Sequence, residues 1–346
     1  MAVDLVLLAA PRGFCAGVEM AIKALAWMVR VFEPPVYCYH EIVHNQIVVD
    51  RFRRLGVVFI DSIGEVPPGA PLMLSAHGSA PEVVAAARAN GGVVVDAVCP
   101  LVTKVHHEVK VRAAKGYTVV YVGHAGHDEA VGTMAVAPDA VRLVETTDDV
   151  AALDLPDDEP VAFLAQTTLS VGEWEGVRDA TRRRFPEMWM PGRSDLCFAT
   201  TNRQSALKVI ADRSDAIIVI GSANSSNTVA LEKVARAESA GPVHRVNGPD
   251  EVPDDLRGTV GVTAGASAPE ELVRAVVDRL APRNGVEVVT VTSEEEYFPP
   301  PRELRDLLRA AAGAATASLL APPAPAPVLA DDRAFAASDA LDALAR

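Results

Sequence analysis

Cysteine is scarce in this chain, four residues in 346, and none of the four belongs to a CxxC pair. That spacing excludes a local zinc knuckle and a thioredoxin-like redox motif. It also excludes a disulfide scaffold, which takes many more cysteines per length. No apolar run reaches the roughly 18 residues that a bilayer-spanning helix needs. No opening segment joins a basic region to an apolar run and a cleavage site, so no signal peptide is expected. Basic residues are outnumbered: 32 Lys and Arg stand against 46 Asp and Glu, a formal net charge of -14. A phosphate backbone repels a chain that acidic, so nucleic acid and anionic membrane surfaces are excluded as partners. A small anionic substrate held in a local pocket of donors is not. The expected compartment is the cytoplasm, where thiols stay reduced.

What is present has a globular composition, 49% hydrophobic and 23% charged, and is long enough for two or three α/β units. Self-similarity is the strongest organisational signal. LMLSAHGSAPEVVAAARANG (72–91) resembles VGVTAGASAPEELVRAVVDRL (260–280), and 161–185 has the same layout. Each reads as an apolar strand, a small polar loop and a helix. Segments 35–56, 117–134 and 215–235 repeat that order, and VVFIDSIGEVP, VRLVETTDDV and VHRVNGPDEVP form a third recurring set of short strands. The pattern predicts an α/β fold of three similar parallel-sheet units, at 1–98, 99–194 and 195–311. The strand VEVVTVTS (286–293) reads as a further copy of the strand before each cysteine, returning toward the first unit. From 312 to 346 the chain turns Ala/Pro-rich and reads as a disordered tail.

Cys15, Cys99 and Cys197 lie about one unit apart, each opening a predicted helix at 16–31, 100–115 and 200–214. Three thiolates from separate units suit an iron–sulfur cluster with one iron left open. Cys38, inside the strand PVYCYHE, reads as a small buried hydrophobe. In parallel sheets, ligands sit beyond the carboxyl ends of the strands. Those loops carry His44, His77 and His127, three of only eight histidines. The third unit offers Ser225, Ser226, Asn227 and Ser267 instead. Neutral donors beside helix N-termini suit a diphosphate better than a metal. Glu129 is the carboxylate closest to this group in sequence, and Thr167 and Thr168 add hydroxyls, which together read as a proton relay. Taken singly, each has an ordinary reading as an N-cap, turn or core residue.

In series, PRGFCAGV, HEIVHN, SAHG, DAVCPLVTKVH, GHAGH, GTM, QTTLS, CFATTNRQ, GSANSSN and TAGASAPE resemble the 4-hydroxy-3-methylbut-2-enyl diphosphate reductase family of the non-mevalonate isoprenoid pathway, over about residues 3–310. The resemblance implies three domains around a pseudo-threefold axis and a central [4Fe-4S] cluster on Cys15, Cys99 and Cys197. It implies that His44, His77, His127, Thr168, Ser225, Ser226, Asn227 and Ser267 hold the substrate diphosphate. Glu129 becomes the proton-delivering acid and Thr167 its hydroxyl partner. The open iron takes the substrate hydroxyl, and two electrons from an external ferredoxin- or flavodoxin-type donor remove it as water. Isopentenyl and dimethylallyl diphosphate result. Val131 stands where relatives often carry an acid. A competing reading is another enzyme of three single-cysteine domains around a cluster, such as quinolinate synthase, a condensing dehydratase without net reduction. The loops SAHG, GHAGH and GSANSSN favour the reductase. A third is an iron–sulfur sensor or structural zinc protein, against which an acidic chain without a helix-turn-helix signal argues.

Overall fold

The computed structural model describes residues 2–318 and 332–344. Its elements are β1 (Ala2–Ala10), α1 (Ala16–Val31), β2 (Val36–Tyr39), α2 (Gln46–Arg54), β3 (Val57–Ile60), β4 (Leu72–Leu74), α3 (Pro81–Ala89), β5 (Val94–Asp96) and α4 (Pro100–Ala114). They continue as β6 (Thr118–Val122), α5 (Asp128–Met134), β7 (Val141–Val144), α6 (Thr147–Ala152), β8 (Val161–Ala165), α7 (Val171–Arg184), α8 (Phe198–Ala211), β9 (Ala216–Ile220) and α9 (Ser226–Glu238). The last are β10 (Val243–Val246), β11 (Arg257–Ala264), α10 (Glu270–Leu280), β12 (Val286–Thr290), α11 (Arg302–Ser318) and α12 (Ala337–Leu344). The chain forms two compact units, residues 1–15 with 101–295 and residues 16–100 with 296–346.

Strands β6, β8 and β9 read TVVYV, VAFLA and AIIVI and are buried along their whole length. Unbroken apolar runs of this kind belong to parallel strands covered on both faces. The first unit holds two sheets, of order β10-β9-β11-β1-β12 and β7-β6-β8, and the second unit holds β3-β2-β4-β5. Every strand pairing among the described residues is parallel. The mixed α/β fold with three parallel sheets is the fold class expected from the repeats. Leu7, Ile217 and Val219 pack with Leu207 and Ile210 of α8 and Leu231 of α9. Val105 and Val109 of α4 pack on Tyr121, Ala162 and Leu164 of the three-stranded sheet. Each such side chain contributes about 1.5–3 kcal/mol when fully buried.

Chain order and sheet membership part company at the strands before the cysteines. β5, before Cys99, ends the four-stranded sheet beside β4. Trp189, before Cys197, bridges Ala162 of β8. β1, before Cys15, lies between β11 and β12 in the five-stranded sheet, with Val6 opposite Val260 and Val286. Each sheet therefore borrows the strand that leads into the following cysteine, and the last sheet borrows the first strand of the chain.

The tail differs from the disorder expected of 312–346. Residues 312–318 continue α11, and residues 332–344 form a turn and α12 in the second unit, in contact with α1. Ala337, Ala340 and Leu341 are buried, and the Ala337 N–H donates to Glu19 Oε2 at 2.6 Å. Buried Lys23 of α1 donates to the Asp332 carbonyl (2.8 Å), its carboxylate (3.1 Å) and the Phe335 carbonyl (3.1 Å). Small residues at helical spacing and one matched charge dock this segment. Residues 319–331 lie outside the described part. Among the described residues no helix is long and apolar enough to cross a membrane.

Candidate active site

Each of the three cysteines sits where a helix begins. The helices open at Ala16, Pro100 and Phe198, directly after Cys15, Cys99 and Cys197. A sulfur there faces unpaired N–H groups and the positive end of the helix dipole. In the first unit the Cys15 N–H is anchored on the Ala266 carbonyl (3.2 Å) and the Cys197 N–H on the Thr167 carbonyl (3.0 Å). Burial pushes the Cys197 thiol up to about 11, and charge on Cys15 pushes the same way. Thr200 and the Ala199 N–H, which hydrogen-bond the Cys197 sulfur, work against them. Two thiolates within electrostatic reach ionise together only with cationic compensation. Soft sulfur donors free of disulfides fit an iron–sulfur group or zinc. In the second unit the Cys99 N–H donates to the Ala76 carbonyl at 3.0 Å. Cys38 lies within β2 without exposed surface, and burial pushes its thiol up.

Arg203 of α8 is completely buried and ties the first unit's two cysteine loops together. Its guanidinium donates to the carbonyls of Gly13 (2.7 and 3.2 Å), Phe14 (3.4 Å) and Ala199 (2.8 Å), and to the Glu294 carboxylate (2.9 and 3.1 Å). The planar fork satisfies backbone on both sides of the site with one fixed side chain.

Glu129 is 2% exposed, in the first turn of α5. The Thr167 N–H donates to its Oε1 at 2.7 Å and the Thr167 hydroxyl to its Oε2 at 3.0 Å. Burial raises this carboxyl to about 7 against those two hydrogen bonds, and the charge of Asp195 adds to the rise. Asp195 is itself buried and pushed up to about 6; it accepts the Ala165 N–H at 3.2 Å and faces Lys104 Nζ at 3.5 Å. A carboxyl at 7 is both donor and acceptor of protons at neutral pH, the property of a general acid. His127 caps α5: its Nδ1 accepts the Glu129 N–H at 3.1 Å, which assigns the ring proton of the neutral form to Nε2.

A chain of polar groups runs beside this pair. Buried Gln166 donates to Thr168 Oγ1 (2.9 Å) and Ser226 Oγ (3.0 Å), and its carbonyl oxygen accepts the His124 N–H (2.9 Å). Thr168 also donates to Ser226 Oγ at 2.9 Å, which leaves the Ser226 proton for His124 Nδ1, 3.4 Å away. Ser225 caps α9, and the Ser267 hydroxyl lies 3.5 Å from it. Asn227 accepts the Ala266 N–H at 2.8 Å and approaches Thr200 Oγ1 at 3.4 Å. These hydroxyls and amides are buried at the N-terminus of a thirteen-residue helix, an arrangement that takes an anion by exchanging internal bonds for bonds to it. Glycines in these loops make room for the fold rather than for a ligand. A Cβ on Gly221 or Gly265 would fall 2.5 or 2.1 Å from Thr228 Oγ1, so both let α9 close on the ends of β9 and β11.

His44 and His77 belong to the second unit, in the loops after β2 and β4. Their rings stack with centroids 3.9 Å apart and 11° between planes, and His44 Nδ1 lies 3.3 Å from Glu41 Oε2. The structure thus joins Glu129 with Thr167, Thr168 with Ser226, Ser225 with Ser267, and His44 with His77. Val131 is 52% exposed. Sequence reasoning missed Gln166, Asp195, Thr200 and Arg203. QTTLS and CFATTNRQ contain three of them, and only their burial marks them out.

Fold and site define a parallel α/β protein of three sheets with a single cysteine at each of three helix starts and a buried acid raised to neutrality. The profile of the LytB protein family matches residues 6–281, and the chain belongs to that family. A relative from Rhodopirellula baltica, 4-hydroxy-3-methylbut-2-enyl diphosphate reductase, is 48% identical over 307 residues, 87% of this chain and 95% of its own length. The 4-hydroxy-3-methylbut-2-enyl diphosphate reductase 1 of Mycobacterium tuberculosis is 47% identical over 309 residues, 87% of this chain and 94% of its own. Among solved structures, the E-1-hydroxy-2-methyl-but-2-enyl-4-diphosphate reductase from Plasmodium falciparum superposes with a TM-score of 0.85 at 31% identity, covering 90% of this chain and 99% of that one.

Proposed function

We propose that this chain is a reductase of 4-hydroxy-3-methylbut-2-enyl diphosphate, in the cytoplasm, where thiol ligands stay reduced. The substrate takes up two electrons and two protons, its carbon–oxygen bond breaks, and water leaves with isopentenyl or dimethylallyl diphosphate. The similarity to reductases of that name over nearly their whole length supports this over a dehydratase of the quinolinate synthase type. A [4Fe-4S] cluster on Cys15, Cys99 and Cys197 would relay the electrons of an external ferredoxin- or flavodoxin-type donor and supply a Lewis-acidic iron.

The remaining roles fall to the chain. Ser225, Ser226, Asn227, Ser267 and Thr168, with His44, His77 and His127, hold the diphosphate through neutral donors and the α9 N-terminus. Binding energy at that remote group fixes the reacting carbon. Glu129 gives a proton to the departing hydroxyl, and Thr167 holds its carboxyl in place from two sides. Protonation at either end of the allyl fragment accounts for two products.

The observation that carries this reading is the buried Glu129–Thr167 pair with a carboxyl near 7. The test uses anaerobically reconstituted protein, dithionite and the hydroxylated diphosphate. Glu129→Gln should keep iron content and substrate affinity while turnover drops by about 10²–10⁴-fold. Wild-type turnover in that variant removes the acid from its role. An absence of substrate-dependent electron consumption in the wild type removes the reductase.

A further inference from the structure

The charge of this chain is unevenly placed. Segments 101–117 and 176–196 carry nine Lys and Arg against four Asp and Glu, in a protein whose net charge is -14. They are neighbours within the first unit. The Arg112 guanidinium lies 3.7 Å from the centre of the Trp189 ring, Lys104 Nζ lies 3.5 Å from Asp195, and Arg182 Nη2 lies 2.8 Å from Met190 Sδ. Lys104 and Arg112 stand on α4, and Lys115 follows directly after its last residue. Lys104, Lys115, Arg182, Arg183 and Arg193 are exposed. Of the four acids, Glu108 pairs with Arg112, Asp179 with Arg178 and Asp195 with Lys104, and Glu187 is exposed, which leaves the two segments with an excess of five cations. Segment 186–196 crosses this face and ends at Cys197, four residues beyond Arg193.

We propose that this basic face is the docking surface for the electron donor, an acidic one-electron carrier protein of the ferredoxin class. The inference rests on the reductase reading, which requires two electrons per turnover that no residue of the chain can supply. Two reduced carriers are each oxidised by one electron; the carbon–oxygen bond breaks, the hydroxyl leaves with one proton as water, and the second proton forms the new carbon–hydrogen bond of the reduced product. A positive face on a negative protein admits an acidic partner in one orientation and repels it elsewhere. Half-buried Trp189 and Met190 provide the apolar contacts typical of interface centres, surrounded by cations.

The experiment compares two reductants on the holoenzyme. In the triple variant Lys115→Glu, Arg182→Glu and Arg193→Glu, none of which touches the candidate active site, the KM for a reduced acidic ferredoxin should rise about tenfold or more. The dithionite-driven rate should stay within about twofold of wild type, as for surface substitutions. Raising salt should weaken the ferredoxin reaction of the wild type and have little effect on the variant. The control Arg283→Glu, exposed and outside the face, should match wild type with both reductants. An unchanged ferredoxin KM in the triple variant overturns the proposal, and so does an equal loss with ferredoxin and dithionite. Loss of duplex-DNA binding with an unchanged ferredoxin KM overturns it in favour of a nucleic-acid face. A wild type that consumes no electrons from dithionite refutes the reductase reading instead.

Discussion

Thr167→Val isolates the chemistry of the buried acid. Valine keeps the branched shape and the N–H that donates to Glu129 Oε1, and removes only the hydroxyl, 3.0 Å from Oε2. That hydroxyl favours the ionised carboxylate against burial, and the balance stands at about 7. A hydrogen bond to a charged group contributes about 1.5–3 kcal/mol. At about 1.4 kcal/mol per pH unit, its removal raises the carboxyl by about one to two pH units. A group that must give a proton works below its pKa, so the wild-type kcat/KM should fall about tenfold per unit above pH 7. In the valine variant the start of that fall should move up to about pH 8–9. The assay is a pH profile of kcat/KM for the hydroxylated diphosphate under dithionite, with iron content measured at each pH. A limb that stays at 7 or moves down refutes the reasoning, because the hydroxyl would then not be stabilising the charge.

The same carboxyl ties stability to pH. Its folded value of about 7 exceeds the ordinary 4.5, so the folded state holds the extra proton between those values. The associated stability, about 3 kcal/mol, is complete below pH 4.5 and lost as pH rises through 7; urea unfolding should show that decline in wild type and a flatter profile in Glu129→Gln. Cys15→Ala, Cys99→Ala and Cys197→Ala should each abolish the iron–sulfur absorption of anaerobic protein, whereas Cys38→Ala should retain it; equal iron loss in Cys38→Ala makes the ligand set wrong. Lys23→Met leaves buried Asp332 without its cation and should cost about 3–5 kcal/mol of α12 docking. Limited proteolysis should then cut near 332–344 far faster than in wild type, and unchanged cleavage would show that the ion pair does not hold the tail.

Much of this molecule is legible in its sequence where local signals and burial agree. Continuous apolar runs such as AIIVI announce parallel strands, and the helices expected at 16–31 and 100–115 match α1 and α4 closely. Expected at 200–214, α8 starts two residues earlier, because the Cys197 position already caps it. The polar loops were legible because they recur in threes. Arg203 was not: an arginine inside a helix reads as exposed by default, and nothing local reveals that its fork spans carbonyls about 190 positions away. Asp195 and Gln166 were hidden likewise, since a polar residue in a loop or just after a strand looks the same whether solvent or a buried network receives it. The α12 segment has too few large apolar residues to predict docking, and its partner α1 lies more than 300 positions upstream.

The placement of β1 explains why the cysteines stand where they do. Each follows a strand that completes one sheet and precedes a helix that belongs to the next body of structure. Cys15 separates β1 of the five-stranded sheet from α1 of the second unit, and Cys99 separates β5 of the four-stranded sheet from α4, which covers the three-stranded sheet. Cys197 separates the Trp189 bridge on β8 from α8, which covers the five-stranded sheet. Two of these joints are the boundaries between the compact units, at 15/16 and 100/101. A repeat that lends each strand to the sheet before it thus leaves one residue at every handover, at the start of a helix.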